Sequence, residues 1–407
     1  MSTAQFRGTP RRRYYTGGDL SRMHSIADLR ARAHKRLPRI ALEYLEGGAG
    51  EEATLDRERE AFAAWRFVPH TLVDESHRSG PYPILGRDAP MPMIIAPTGL
   101  NGLFQRHADT ALAQAAAKVG VPFVQGTMSN DPMEDVAKVP GLRHWWQLYV
   151  FGPDEIWQSL VDRAAAAGCE ALVLTTNAQI FGQRDWDARL RINQTMPSLP
   201  TIVDAGFHPG WLMRTLSHGM PEFSNVIDFI PKDRRGFFSS AFWIREQMPK
   251  SLSWDTVAKI RQRWKGAFFI KGILHPDDVR RACDSGADGI MLGTHGGRQI
   301  DWAVSALDIL PQARAIVGDR AALYMSGGIR CGTDVLKALA LGADAVLAGR
   351  AVLYGLGAAG SAGAARALEI LKGEIDNELG QLGVPSLDKL SPDILVRADA
   401  LPGRNAS

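Results

Sequence analysis

The sequence predicts an α/β fold: a (β/α)8 TIM barrel with an N-terminal helical cap and a long insertion after the fourth strand. Three observations predict it. From residue 91 onward, eight short apolar runs rich in β-branched and aromatic residues recur along the chain. Amphipathic or Ala-rich stretches of helical period separate them, the alternation expected of parallel βα units. Eight such repeats fit the roughly 250 to 300 residues of a closed barrel. An open doubly wound sheet is the alternative that the same alternation allows.

In chain order, residues 1–21 carry the basic run "RRRYY" and are read as a flexible, solvated arm. Residues 22–90 open with "SIADLRARAHKRLPRIALEYLEGG" and are read as a helical cap rather than an independent domain. The barrel spans 91–395, with strands expected at "MPMIIAPT", "VPFVQGT", "HWWQLYV", "ALVLTTN", "AFFIKGI", "GIMLGT", "ALYMSGG" and "AVLAGR". Helices are expected at "HADTALAQAAAKVG", "PDEIWQSLVDRAAAAG", "HPDDVRRACDSG" and "GTDVLKALALG"; several open with Asp or Pro and close on Gly, as helix ends prefer. Residues 189–250 form the insertion, and 396–407 a C-terminal tail.

Composition narrows the function classes. With 407 residues and 45% apolar content the chain can bury a large core, which argues against disorder. A net charge of +3 carried by dispersed basic residues does not mark a nucleic-acid surface. Cys169, Cys283 and Cys331 are too few and too scattered for a disulfide framework or a metal site, so a reducing, cytoplasmic setting is expected. No run approaches the roughly 18 apolar residues of a spanning helix, and the start lacks the apolar core of a signal peptide. The insertion mixes Trp, Phe, Met and Leu with Arg and Lys in "HPGWLMRTLSHGMPEF" and "GFFSSAFWIREQMPK". Two readings stand for it: a lid or oligomer contact, or a segment whose aromatics enter lipid headgroups.

Barrels of this kind build their sites at the C-terminal ends of the strands. The polar residues there are Pro97 and Thr98, Thr127, Gln147 and Tyr149, Thr175 and Asn177, Lys271, and His295 with Arg298. "SGGIR" (Ser326, Gly327, Gly328, Ile329, Arg330) and "AGR" (Ala348, Gly349, Arg350) follow the last two runs. Paired Gly-rich turns, each with an Arg, suit a phosphate, because glycine amides approach closely and the cation lies nearby. A His beside them can act as a base, and arginines can hold a carboxylate bidentately. The plainer alternatives are that His295 is a packed core histidine and Arg184 a surface charge beside the aspartates of "RDWD". "GLGAAG", residues 355–360, fits the dinucleotide-binding spacing, but no second strand with an acidic ribose ligand follows; it is read as a flexible turn into the closing helix.

The stretches "APTG", "QLYV", "FIKGIL", "HGGRQID", "GGIRCGTDVLKALALGADAV" and "GRAVLYGL" together resemble the FMN-dependent α-hydroxy acid dehydrogenase and oxidase family, over about residues 25–395. "PTGLNG", "HPGWLMRTLSHGMPEFSNV" and "LSWDTVAKIRQRW" narrow the resemblance to the branch that oxidises (S)-mandelate and that attaches to membranes through the middle stretch. The resemblance implies roles residue by residue. His295 would take a proton as a 2-hydroxy acid becomes a 2-keto acid, with Asn177 as its ring partner. Arg184, Arg298 and Tyr44 would bind the substrate carboxylate, and Tyr149 would hydrogen-bond substrate. Lys271 would sit at the flavin N1/O2 edge, with Gln147, Thr127, Thr175, Pro97, Thr98 and Gly99 around the ring. Ser326, Gly327, Gly328, Arg330, Gly349 and Arg350 would hold ribityl and phosphate. Gly99, in place of a common alanine, would leave room for a bulky aryl substrate.

The departures from the family pattern are Asn177 for an Asp, Gly293-Thr294 for Ser-Asn, Ser326 for an Asp on the ribityl chain, and Gly126 for a Ser. A neutral amide orients the histidine but lends little charge stabilisation, so slower oxidation is implied. The expectation is FMN-dependent oxidation of an aryl, mandelate-like 2-hydroxy acid, with a quinone or O2 as electron acceptor. A homotetramer, peripheral on the cytoplasmic membrane, accompanies it, with no metal. The alternatives are another substrate, an amine or a biosynthetic intermediate, on the same flavin scaffold, and a catalytically silent barrel.

Overall fold

The computed structural model describes residues 13–400 except 75, 77–79, 192–195, 218 and 250. The sequence expectations for residues 1–12 and 401–407 lie outside the described residues.

The cap comprises α1 (Ile26–Arg36), α2 (Arg39–Glu46) and α3 (Ala53–Ala63), then β1 (Trp65–Phe67) and the hairpin β2 (Tyr82–Ile84) and β3 (Arg87–Ala89). In the barrel, β4 (Met93–Ile95), α4 (Ala108–Val119), β5 (Phe123–Gly126), α5 (Met133–Val136), β6 (His144–Leu148), α6 (Asp154–Ala166) and β7 (Ala171–Thr175) form the first half. After β7 comes α7 (Asp185–Arg189), and the insertion contributes α8 (Leu199–Gly206), α9 (Pro209–Leu216) and α10 (Phe237–Glu246). Then come α11 (Trp254–Arg263), β8 (Ala267–Ile273), α12 (Pro276–Asp284), β9 (Gly289–Leu292), α13 (Ala306–Val317), β10 (Ala322–Ser326), α14 (Gly332–Ala340), β11 (Ala345–Ala348), α15 (Arg350–Gln381) and β12 (Leu395–Arg397).

All eight predicted runs are strands, and β4 to β11 close into a parallel barrel in chain order, β11 pairing back to β4. The open sheet is thereby excluded. Most barrel strands are buried on every residue, because helices cover the outside while side chains fill the inside. Trp145, Phe269 and Tyr324 stack across the interior, with 5.2 Å between the Phe269 centroid and each neighbour. Gly289 makes room for this layer, since a Cβ there would strike the Phe269 ring.

Several expectations need correcting. The cap is not wholly helical: the β2–β3 hairpin buries Ile84 and Ala89 against the barrel's interior layer and closes its N-terminal end. Residues 13–21 are docked rather than free, since Tyr15 N donates to Asp28 Oδ1 at 2.8 Å and Arg32 Nη1 donates to Thr16 O at 2.7 Å. The tail boundary at 396 cuts through β12, which pairs antiparallel with β1, Val396 opposite Arg66. "GLGAAG" is not a flexible turn: residues 355–358 continue α15, buried throughout, and the helix bends at Ala359 and Gly360, where Gly360 has φ +64°. Beyond the bend, Gly363 lies so close to Gly355 that a Cβ on either would meet the other's backbone. These glycines are a packing contact between two helical segments.

Candidate active site

The loop after β9 holds three successive left-handed residues, His295 (φ +62°), Gly296 (φ +67°) and Gly297 (φ +70°). Glycine adopts this conformation freely; a histidine there is strained and is held by its surroundings. A Cβ at Gly297 would press on Leu55 of α3, so the loop lies directly under the cap. Gly297 N donates to Thr294 Oγ1 at 3.0 Å, closing the turn.

The histidine ring stands between two partners, with Nδ1 3.4 Å from Asn177 Oδ1 and Nε2 3.2 Å from the Tyr149 hydroxyl. Asn177 Nδ2 is committed to Gly293 O at 3.0 Å, so its oxygen faces the ring. An amide oxygen only accepts, which assigns the proton to Nδ1 and a lone pair to Nε2. Burial, then the charges of Lys271, Arg184, Arg298 and Arg350, hold the imidazole well below its usual range. His295 is therefore neutral and able to act as a base. Burial also pushes the Tyr149 hydroxyl up, keeping it protonated.

Arg298 stacks over Tyr44 with 4.6 Å to the ring centroid. Its Nη1 donates to Tyr44 O (2.8 Å) and Gly47 O (2.6 Å), and its Nη2 pairs with Asp187 at 3.5 Å. Arg184 donates from Nε to Arg298 O (3.1 Å) and from Nη2 to Gln299 Oε1 (3.2 Å), leaving Nη1 for a ligand. Burial and the neighbouring Arg298 lower its pKa to about 10. The Tyr44 hydroxyl donates to Gly99 O at 2.9 Å. Burial lowers Lys271 to about 8, partly offset by Glu58.

One cavity joins these groups. Its wall includes Tyr44, Pro97, Thr98, Gly99, Gln147, Tyr149, Arg184, Lys271, His295, Arg298, Ser326, Gly327, Gly328, Arg330, Gly349 and Arg350. Three predicted residues do not line it. Thr127 stands behind, donating to Gln147 O at 2.7 Å and accepting from Tyr149 N at 3.0 Å. Thr175 is buried in β7, and Asn177 acts on the histidine from outside the wall. Arg350 is on the wall but spends most of its donors on Leu45 O, Gly296 O, Glu46 O and Gly47 O, so it fastens the cap to the loop. Gly99 also serves packing: a Cβ there would lie 2.7 Å from the Cβ of Met128, which shares the cavity wall with it.

The sequence reading missed the remaining wall. Phe181 and Asp187 line it from just before the insertion, Leu190 with Phe238 and Phe242 of α10 bring the insertion itself into the cavity, and Glu58 enters from α3. Asp187 sat in plain view within "RDWD", beside the arginine already singled out. A Glu within "DRERE" carries no such signal.

Whether the site fits a flavin is tested by its unsatisfied groups. Gln147 Nε2, Thr98 Oγ1 and Glu58 Oε2 are buried without partners among the described residues, and all three residues belong to the cavity wall. Buried polar atoms of this kind await a polar ligand. On the same wall Lys271 suits a ring edge, and Arg330 with the Gly327–Gly328 turn suits a phosphate, so the residues present fit FMN. A barrel with this rim defines a cofactor-dependent oxidoreductase of the flavin-binding kind. The match of residues 33–397 to FMN-dependent dehydrogenase agrees, and the chain belongs to that family.

The chain is 41% identical over 374 residues to (S)-mandelate dehydrogenase of Pseudomonas putida, covering 92% of this chain and 94% of that one. It is 34% identical to L-lactate dehydrogenase of Caulobacter sp. (strain K31), covering 92% and 99%. Among solved structures, the monotopic membrane protein (S)-mandelate dehydrogenase superposes with a TM-score of 0.87 at 40% identity, covering 92% and 99%.

Proposed function

We propose that the chain uses FMN to oxidise an aryl, mandelate-like 2-hydroxy acid to the 2-keto acid. The observation that carries this is a neutral His295 whose Nε2 faces the Tyr149 hydroxyl within a cavity that also presents Arg184, Arg298 and the apolar Phe181, Leu190, Phe238 and Phe242. Arg184 Nη1 and Arg298 bind the substrate carboxylate, Tyr44 and Tyr149 fix its position, and the phenylalanines receive the aryl group. His295 Nε2 accepts the proton released in oxidation, and Asn177 keeps the ring in the required tautomer. When bound, FMN supplies a two-electron acceptor for the hydride equivalent leaving the α-carbon. Purified protein is expected to be yellow and to bleach on anaerobic addition of (S)-mandelate. Bound FMN that no 2-hydroxy acid reduces would sink the substrate assignment.

Asn177→Asp is expected to speed flavin reduction severalfold to about a hundredfold, because a carboxylate favours the imidazolium that forms. It raises the histidine's pKa, so the acid limb of the pH–rate profile moves to higher pH. The same change loses the Nδ2 bond to Gly293 O, with a stability cost of about 1–3 kcal/mol. Stopped-flow absorbance across pH and thermal melting read the two effects; an unmoved acid limb would show that Asn177 does not act on the histidine.

For the electron acceptor, the reading favours a membrane quinone over O2. No helix among the described residues is long and apolar enough to cross a membrane. The insertion instead exposes Leu199, Ile202 and Val203 on α8, Phe207 just after it and Met213 on α9. Such a face suits insertion at the headgroup level. It also supports peripheral attachment, which we assign to the cytoplasmic leaflet; vesicle flotation measures it. A homotetramer completes the proposal, and its mass in solution is the check.

A further inference from the structure

Glu58 projects from α3 of the cap with 2% of its surface exposed, beside Thr294 and the Gly327–Gly328 turn. Thr294 Oγ1 donates to its Oε1, whereas its Oε2 is buried with no partner among the described residues. Burying a carboxylate with an unused oxygen is costly unless a ligand completes it. Its surroundings locate that ligand. Lys271, for which the family resemblance implies the flavin ring edge, feels its charge, and so do Arg330 and Arg350, for which it implies the phosphate. The part of FMN lying between ring and phosphate is the ribityl chain, whose hydroxyls are donors.

Three of the departures from the family pattern, Gly293, Thr294 and Ser326, meet at this point. Ser326, standing where the family resemblance implies an Asp, turns its hydroxyl to Leu292 O at 3.2 Å. Gly293 packs against that hydroxyl so closely that a Cβ would collide with it. Thr294, the next residue, holds Glu58. Positions 58, 293, 294 and 326 thus form one packed cluster in which the carboxylate is at 58 rather than 326.

We propose that Glu58 binds the cofactor, its carboxylate accepting hydrogen bonds from the ribityl hydroxyls in place of a carboxylate at position 326. The cap, through α3, is then part of the FMN site. Burial pushes the Glu58 carboxyl up in the free protein, in line with a group that waits for donors.

The inference rests on FMN as the cofactor, and the test separates the two. Apoprotein is titrated with FMN and with riboflavin, which lacks the phosphate, following flavin fluorescence. Glu58→Gln is expected to weaken both about 10- to 100-fold and by the same factor, since charge-assisted bonds to the shared polyol are lost. The melting temperature of its apoprotein should match or exceed the native one, because a costly buried acid is gone. Ser326→Asp should weaken flavin binding in the native background, where two carboxylates crowd one site, yet restore it in Glu58→Gln. That opposite sign identifies a transferred role, and the single Ser326→Asp variant suffices if Glu58→Gln does not fold. Unchanged or tighter binding by Glu58→Gln overturns the proposal, as does weakening of FMN alone, which would place the carboxylate at the phosphate. Tighter binding by Ser326→Asp alone also overturns it. A native chain that binds neither flavin would remove the cofactor itself, and the proposal with it.

Discussion

His295→Ala is expected to lower flavin reduction by (S)-mandelate about 10²- to 10⁴-fold while leaving FMN bound. The size follows from the geometry. Among the described residues His295 carries the only imidazole on the cavity wall, with Nε2 held 3.2 Å from the Tyr149 hydroxyl. The carboxylates on the same wall have other partners: Asp187 pairs with Arg298 at 3.5 Å, and Glu58 holds Thr294 with one oxygen and keeps the other for the cofactor. Burial and four surrounding cations keep the imidazole unprotonated, so the native enzyme should hold its rate well into mildly acidic solution. FMN should remain because its unfilled partners, Gln147 Nε2 on β6 and Thr98 Oγ1 in the loop after β4, belong to other parts of the barrel. Anaerobic stopped-flow gives the rate and the visible spectrum gives the occupancy. Native-like reduction in the variant would remove the histidine from the mechanism.

Replacing Ile202 and Phe207 together with Glu is expected to release the protein from lipid vesicles without changing flavin reduction in solution. Phe207 is 80% exposed and Ile202 53% exposed, both on the insertion's outer face. Each apolar side chain buried in lipid contributes about 1.5–3 kcal/mol, so losing both lowers partition by about 10²- to 10⁴-fold. Neither residue lines the active-site cavity, so chemistry should be spared. Flotation with anionic vesicles measures the first effect and anaerobic bleaching the second. Undiminished flotation would mean that this face is covered by something other than lipid.

The barrel was legible because parallel strands, buried on both faces, read as unbroken apolar runs, and "ALVLT" or "GIML" has no helical period to compete with it. The rim was legible for a topological reason: residues ending such strands, from Gln147 to His295, must face one end of the barrel. What failed to show in the sequence were contacts made across long separations. Glu58 looks like one charge on a solvated helix face until α3 is laid over the loop after β9. Phe238 and Phe242 sit in a segment whose composition supports two readings, and only its path back over the barrel mouth puts them on the cavity wall. The β2–β3 hairpin is too short to carry a period. The "GLGAAG" glycines suggest a flexible turn in the sequence, yet what Gly355 lacks a side chain for is a neighbouring helical segment at Gly363.

Arg350 joins Leu45 O, Glu46 O and Gly47 O of the cap to Gly296 O of the histidine loop. Arg298 adds Tyr44 O and Gly47 O, and Ala49 N reaches Gly297 O at 2.8 Å. Lifting the cap and loosening the loop therefore break the same bonds. The two segments share a single opening free energy and belong to one cooperative unfolding unit, although some 250 residues of chain separate them. A histidine held in a left-handed conformation keeps it only while that unit is closed, so local melting of a helix near the N-terminus would reach the catalytic base before the barrel itself gave way.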